Sequence, residues 1–388
     1  MTVETITLGC RLNFAESETI AREAPADEDW VIVNSCAVTN EAVRQTRQAI
    51  RRAHRHRPSA KILVTGCAAE LDTASFEQMP EVARVLGNTN KLNAFMSPDA
   101  MTPIPTGLLA KVKSFVAIQT GCDHRCTFCS IWQARGPSRS LSFEAIRDAV
   151  AREIDRGAKE IVLTGVDITD YEDGLGALCQ QLLASEPRLT RLRLSSLDSI
   201  EIDEPLHELI AGEPRLMPHF HLSLQAGDDM IIKRMKRRHG RDDAVRTVER
   251  IKTARANATI GADLIAGFPT ETEEMAANTL RLLDDCDIVA AHIFPFSPRP
   301  NTPAARMPQL PRELVKTRSA RLRHSAAERR TGWMNSLVGT TQPVLVEGET
   351  QGHTDSFAPI AIEGAKRGEV GVAHITCRDG DHLTAVWA

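Results

Sequence analysis

A chain of 388 residues with 42% hydrophobic content and a net charge of −4 has the composition of a soluble globular protein with room for two or three domains. It carries no global basic field that would advertise nucleic acid. No apolar run approaches the roughly 20 residues needed to span a bilayer, and Met1–Thr5 has neither the basic start nor the apolar core of a signal peptide. Nine cysteines in such a chain point to a reducing cytoplasm, no membrane, and metal or redox use rather than disulfides.

The first seventy residues repeat one pattern three times: an apolar, strand-like run ending in a small residue and a cysteine. The runs are Thr5–Cys10, Trp30–Cys36 and Ile62–Cys67. Runs this short and apolar fit buried parallel strands, and a helical stretch at Asn40–His56 supplies a β-α-β connection. Ligands of open α/β sheets gather outside the carboxyl ends of the strands. Cys10, Cys36 and Cys67 are therefore expected to converge on one metal site, with Gly9 and Gly66 letting backbone approach closely. A single cysteine in this setting would read as a packing residue. Cys179, Cys286 and Cys377 lack the shared context and are expected to be that.

After an apolar stretch at Phe115–Ile118 comes the most informative run, Gly121-Cys122-Asp123-His124-Arg125-Cys126-Thr127-Phe128-Cys129. A C-x3-C-x2-C trio is one ligand short of a closed four-cysteine site. On a 4Fe–4S cluster, three cysteines leave one iron open. A zinc knuckle with His124 as fourth ligand is the other reading of the residues. The run closely resembles the signature of the radical S-adenosylmethionine (radical SAM) enzymes, with an aromatic, Phe128, before the third cysteine. That resemblance implies a cluster on Cys122, Cys126 and Cys129 whose open iron chelates SAM.

From about Lys111 to Arg330 strand-like runs alternate with helical ones. Strands are expected near Phe115–Thr120, Glu160–Thr164, Arg191–Ser196, Phe220–Gln225, Thr259–Ile265 and Ile288–Phe296. Helices are expected near Phe143–Arg156, Leu175–Glu186, Pro205–Ala211, Asp242–Ala256 and Glu273–Asp285. Six β-α units read as a partial (β/α)6 barrel with its chemistry at the C-terminal strand ends. There Gly165 and Asp167 are expected near the methionine end of SAM, and Ser196 and Gln225 near its ribose. The prolines of His292–Pro300 fix a rigid, non-helical segment; it resembles the family's loop at the barrel mouth, a candidate substrate wall, and reads equally as a plain exit loop.

Basic residues concentrate in three places: Arg44, Arg47, Arg51, Arg52, Arg55 and Arg57; then Lys233, Arg234, Lys236, Arg237, Arg238 and Arg241; then seven Lys/Arg against two acids over Arg312–Arg330. Such runs are either solvated helix faces or phosphate contacts. With 4% aromatics, a broad base-stacking platform is not expected. The tail from about Asn335 reads as short strands (Gln342–Glu347, Ala358–Ile362, Glu369–Cys377, Leu383–Trp387) punctuated by glycine, the pattern of a small antiparallel β-barrel.

Gly9-Cys10-Arg11-Leu12-Asn13 with Glu16-Ser17-Glu18, Asn34-Ser35-Cys36-Ala37-Val38-Thr39 and Thr65-Gly66-Cys67-Ala68 resemble the N-terminal domain of methylthiotransferases over nearly the whole chain. Cys-Arg-Leu-Asn and the Ala-Val-Thr-Asn-Glu-Ala after Cys36 are most similar to the enzymes acting on N6-threonylcarbamoyladenosine in tRNA. Val344–Gly348 and Gly352–Asp355 resemble the RNA-binding TRAM domain. The resemblance implies three domains, at 1–108, 109–332 and 333–388, within an α/β fold. It implies a second 4Fe–4S cluster on Cys10, Cys36 and Cys67, two SAM molecules, an electron-donor protein, and methylthiolation of C2 of adenosine 37 in the tRNA anticodon stem-loop. Alternatives are an isopentenyladenosine tRNA or a ribosomal-protein aspartate as target, or a non-catalytic iron–sulfur protein that binds RNA. The chain departs from the family in the short Ile20–Trp30 connection, in Trp132 where proline is usual, and in Thr270 and Asn301 where glycine is common.

Overall fold

A computed structural model describes residues 3–25, 28–91 and 112–388. The expected boundary at 108/109 lies outside the described residues. Two compact units are present. The first comprises residues 1–156, 163–171 and 297–306, and the second residues 157–162, 172–296 and 307–388.

The first unit begins with β1 (Val3–Thr7), α1 (Arg11–Glu23), β2 (Trp30–Ser35), α2 (Asn40–His56), β3 (Lys61–Gly66), two short helices, α3 (Cys67–Leu71) and α4 (Thr73–Glu77), and β4 (Arg84–Val85). The strands pair in the order β1-β2-β3-β4, and all three pairings are parallel. β2 is buried along its whole length, as a sheet covered on both faces demands. Val31, Val33, Ile62 and Val64 pack with Ile50 and Ala53 of α2. Ile32 and Leu63 point the other way, toward Ile20 and Ala21 of α1.

The unit continues through β5 (Lys113–Ala117), β6 (Gln119–Thr120), α5 (Ile131–Arg135), β7 (Arg139–Ser140) and α6 (Phe143–Asp155). β8 (Glu160–Thr164) is divided between the units. In the first, Thr164 O accepts from Ile118 N at 2.9 Å; in the second, Ile161 N donates to Arg191 O at 3.0 Å.

The second unit alternates α7 (Leu175–Ser185), β9 (Leu192–Leu194), α8 (Glu204–Gly212), β10 (His219–Gln225), α9 (Asp229–Met235), α10 (Arg241–Ala254), β11 (Thr259–Ala266), α11 (Glu273–Asp285) and β12 (Ile288–Pro295). β10, β11 and β12 form a parallel sheet. Leu197, three residues beyond β9, forms an isolated parallel bridge with Leu222 of β10. The expected strands and helices of this region are all present within a few residues of their expected limits. α9 was not expected.

The single helix α12 (Arg312–Leu337) leads to β13 (Thr341–Val346), β14 (Gln351–Thr354), β15 (Pro359–Ile362), β16 (Val370–Asp379) and β17 (His382–Trp387), a closed barrel in the order β13-β14-β15-β17-β16. Two expectations need correction. The barrel is not wholly antiparallel, because β15 and β17 run parallel. Cys377 is exposed rather than packed: the register shifts between Ile375 and Cys377, and this bulge turns Cys377 out of the alternation that buries Ala373 and Ile375.

The barrel is fastened to the rest of its unit by a buried charge set. Glu160 Oε1 accepts from Arg193 Nε at 3.0 Å, and its Oε2 accepts from Arg193 Nη2 at 3.1 Å and Arg191 Nη2 at 3.2 Å. Arg191 also pairs with Asp355, and Arg193 lies over the Phe357 ring at 4.8 Å. Phe357 is stacked between His219 and His353 at centroid distances of 5.0 and 4.5 Å. Glu160, Arg191 and Arg193 are nearly inaccessible, so removing the carboxylate takes from Arg193 its carboxylate partner and leaves Arg191 with Asp355 alone. Glu160→Gln is expected to lower unfolding free energy by about 3–5 kcal/mol, read from a urea unfolding midpoint.

Thr270 and Asn301 hold φ of 67° and 63°. The left-handed backbone is thus kept although neither residue is glycine. Asparagine tolerates this region, whereas a β-branched residue is strained there. Thr270→Gly is expected to raise stability by about 1 kcal/mol, the relief of strain exceeding the entropy of glycine. A midpoint that falls would show that Thr270 is not strained.

Candidate functional site

Because β1, β2 and β3 are parallel neighbours, the residues following them emerge at one edge of the sheet. Cys10 is the N-cap of α1, Cys36 lies in the loop before α2, and Cys67 opens α3. Gly9, at φ 94°, lies so close to Cys36 that a Cβ there would sit 2.7 Å from its Sγ. Gly66, at φ 93°, would bring a Cβ within 2.4 Å of Asn34 Oδ1. Both positions need glycine on conformational and steric grounds.

The Cys122–Cys129 segment follows β6 in the same unit. Its amides and carbonyls are tied down by Cys122 N to Gly136 O at 3.1 Å, Cys129 N to Cys126 O at 3.2 Å and Ala304 N to Thr127 O at 2.9 Å. Phe128 is half-buried, and Arg125 lies 5.0 Å over the ring of Trp132. His124 Nε2 faces Asp167 Oδ2 at 3.0 Å, which turns the imidazole toward a carboxylate. Cys122 Sγ is 3.9 Å from the same oxygen. Burial, then the Asp167 charge, pushes the Cys122 thiol up to about 12. Burial pushes Cys36 and Cys129 up to about 11. Thiols this hard to ionise become thiolates when a soft cation shares the site. All nine cysteines are free, and two sulfur-only sets with crowding removed at Gly9 suit iron–sulfur groups.

Gly165 and Asp167 are brought beside the Cys122 segment by Gln119, a residue the sequence did not single out. Gln119 Oε1 accepts from Val166 N and Asp167 N, each at 3.0 Å, and its Nε2 donates to Gly121 O at 2.9 Å. A Cβ at Gly165 would lie 2.8 Å from Gln119 O. Ser196 and Gln225 lie in the second unit, just beyond β9 and at the end of β10. Gln225 has φ 66°, an uncommon backbone for a residue that is not glycine.

A buried polar set reaches Cys67. Arg135, at the end of α5, donates to Glu16 Oε1 at 2.8 Å, Glu16 Oε2 at 3.0 Å and Asn13 Oδ1 at 2.6 Å. Its Nε donates to Cys67 Sγ at 3.3 Å. Lys91 pairs with Glu16 and donates to Asn88 Oδ1 at 2.8 Å. Burial alone would raise the Glu16 carboxyl, but Arg135 and Lys91 hold it at about 2. Asn13 and Glu16 stand three apart on α1, one face of a helix, and that spacing was the available signal.

In the second unit His221 Nε2 and His292 Nδ1 both meet Asp263 Oδ1, at 3.0 and 3.2 Å. The two histidines hold this carboxyl well below its ordinary range against the opposing effect of burial.

The basic runs resolve differently. Arg237, Arg238 and Arg241 pair with Asp198, Glu201 and Asp285. On α12, Lys316, Arg318, Arg321 and Arg329 pair with Glu313, Glu271, Glu273 and Asp284. Arg44 and Arg47 on α2, and Arg57 at its C-cap, have acid partners, while Arg51, Arg52 and Arg55 on α2 are exposed.

Residues 116–283 match the Radical SAM superfamily, and residues 2–87 match an Uncharacterized protein family, UPF0004. The fold and the three-cysteine segment define a radical SAM enzyme, whose class uses SAM and a 4Fe–4S cluster. A Threonylcarbamoyladenosine tRNA methylthiotransferase MtaB from Rickettsia prowazekii is 40% identical, covering 93% of this chain and 91% of its own. The enzyme of that name from Thermotoga maritima is 30% identical, over 95% and 93%. A tRNA-2-methylthio-N(6)-dimethylallyladenosine synthase from Anaplasma marginale is 32% identical, over 91% and 88%. Among solved structures, the radical S-adenosylmethionine methyltransferase TsrM from Kitasatospora setae matches with TM-score 0.54 at 14% identity, over 72% of this chain and 67% of that one. This last shows the fold alone. The chain belongs to the radical SAM methylthiotransferase family. No helix among the described residues is long and apolar enough to cross a membrane.

Gly9→Ala is expected to displace Cys36 and to reduce iron bound per chain after anaerobic reconstitution. Gly157→Ala, also at positive φ but with open space around it, should leave iron content unchanged. Equal iron in both variants would show that the closeness of Gly9 and Cys36 is not required.

Proposed function

We propose that the protein adds a methylthio group to C2 of N6-threonylcarbamoyladenosine at position 37 of tRNA, using two 4Fe–4S clusters and two SAM molecules. The observation that carries this reading is the presence of two three-cysteine sets in one compact unit, with Arg135, six residues after Cys129, donating to Cys67 Sγ. The substrate rests on the names and 40% and 30% identities of the threonylcarbamoyladenosine enzymes above.

In this reading Cys122, Cys126 and Cys129 hold the SAM-binding cluster, and Cys10, Cys36 and Cys67 hold the auxiliary one. When bound, the clusters supply the radical cleavage of SAM and the sulfur for transfer, chemistry that side chains cannot perform on an unactivated aromatic C–H. The chain's own contribution is placement and exclusion of water. Gln119 fixes the Val166–Asp167 amides beside Cys122, where Gly165 and Asp167 would face the methionine end of SAM. Phe128 packs in the cysteine segment. Ser196 and Gln225 are assigned to the ribose. Exposed Arg51, Arg52 and Arg55 on α2 are candidate contacts for the anticodon stem-loop, with the TRAM-like barrel as a second RNA surface. An electron-donor protein and a cytoplasmic setting complete the scheme, with residues 1–108, 109–332 and 333–388 as its functional divisions.

Anaerobic reconstitution should give about eight irons per chain, falling to about four in a Cys122/Cys126/Cys129→Ala variant. Alanine at Cys10, Cys36 or Cys67 should abolish methylthiolation of tRNA while cleavage of SAM to 5′-deoxyadenosine survives. Methylthio product from such a variant would refute the auxiliary role. Product on ribosomes or on isopentenyladenosine tRNA, and none on threonylcarbamoyladenosine, would redirect the substrate.

A further inference from the structure

Arginine carries five N–H donors in a fixed planar fork, and in Arg135 all five are committed. Nη1 serves Glu16 Oε1 and Thr120 Oγ1, at 2.8 and 3.3 Å. Nη2 serves Asn13 Oδ1 and Glu16 Oε2, at 2.6 and 3.0 Å. Nε serves Cys67 Sγ at 3.3 Å. Four of these bonds fix the plane of the guanidinium, so the direction of the fifth is not free to wander. The side chain is 2% exposed. A second donor, Asn88 Nδ2, approaches Cys67 Sγ at 3.9 Å while bonded to Ala134 O at 2.7 Å.

The charge balance of this pocket is uneven. Among the described residues of this buried set, Glu16 is one carboxylate between two cations, Arg135 and Lys91; the half-buried Glu70 lies beyond them, accepting from Asn88 N at 2.6 Å. One positive charge is left over beside the Cys67 sulfur.

We infer that Arg135 is a positioning residue for the iron–sulfur group on Cys67: its Nε–H···Sγ bond and the surplus positive charge raise that group's reduction potential. Hydrogen bonds to ligating sulfur and local net charge are the protein's means of setting such potentials. This rests on the proposed auxiliary cluster. Arg135 closes the helix that follows Cys129, so one side chain also ties the spacing of the two cysteine sets.

The test uses the full chain with Cys122, Cys126 and Cys129 changed to alanine, reconstituted anaerobically, so that only the Cys10/Cys36/Cys67 site holds iron. The midpoint potential of one-electron reduction is followed by electron paramagnetic resonance in a mediator titration. Absence of iron from this parent would refute the auxiliary cluster itself. With about four irons present, Arg135→Gln removes a charge and the Sγ bond and should shift the potential down. Arg135→Lys removes the bond but keeps the charge and should shift it down by less. Glu16→Gln removes the negative charge and should shift it up. Opposite signs for the changes at positions 16 and 135 are not produced by loosened packing. If Arg135→Gln does not retain iron, the signs are read from Arg135→Lys and Glu16→Gln. An unchanged potential, or a shift of the same sign at both positions, overturns the inference.

Discussion

The buried carboxylate of Glu16 is the interaction on which the first unit depends. The inward face of α1 is polar, with Asn13, Glu16, Ser17 and Thr19 buried beside Leu12 and Ile20. An apolar stripe can slide by a turn at modest cost. A carboxylate clasped by two cations has one satisfactory register, because any other leaves charges buried and unpaired. Asn34 Nδ2 adds a bond to Asn13 O at 2.9 Å, and Asn13 Nδ2 bonds Leu8 O at 2.8 Å and Ser35 O at 3.1 Å. These bonds fix the loops that lead to Cys10 and Cys36. Placement of the first two cysteines thus follows from polar bonding, and placement of the third from the parallel register of β2 and β3.

The same feature explains what could be read in the sequence and what could not. β2, β3 and α2 were legible because apolar runs and a helical stretch with its N-cap threonine, Thr39, obey simple periodicities. α1 was not, since a helix whose buried face is polar carries no apolar repeat. The six cysteines stood out through spacing and local context. Gln119, Lys91 and Arg135 did not, and Asn13 and Glu16 entered only as part of a family motif, because their roles arise from bonds between residues up to 122 apart in the chain. Cys377 was misread because a bulge is invisible to a period-2 count, and the parallel β15–β17 pair because pairing direction is set by chain routing.

Arginine-rich runs in a chain of net charge −4 invited one reading, and the structure divides them by use. On α12, Arg318, Arg321 and Arg329, and after α9, Arg237, Arg238 and Arg241, face acids from neighbouring helices and loops. In Arg318, for example, Nη1 reaches both the carbonyl and the carboxylate of Glu271 at 2.9 Å. Such residues hold elements together and have little field to spare for a phosphate. Arg51, Arg52 and Arg55 on α2 are a different population. A count along the sequence cannot separate the two, because it does not record where the acids lie.

α12 runs unbroken for 26 residues, about 39 Å at the helical rise. Leu322 is buried early in its course, and Met334, Trp333 and Leu337 meet the core of the closed barrel at its end. A helix of this kind is a spacer with a phase as well as a length. One inserted residue would turn everything beyond it by about 100°. The Asp355 and Phe357 contacts with Arg191 and Arg193 could not then be made. Length variation in this connection is therefore restricted to steps near whole helical turns.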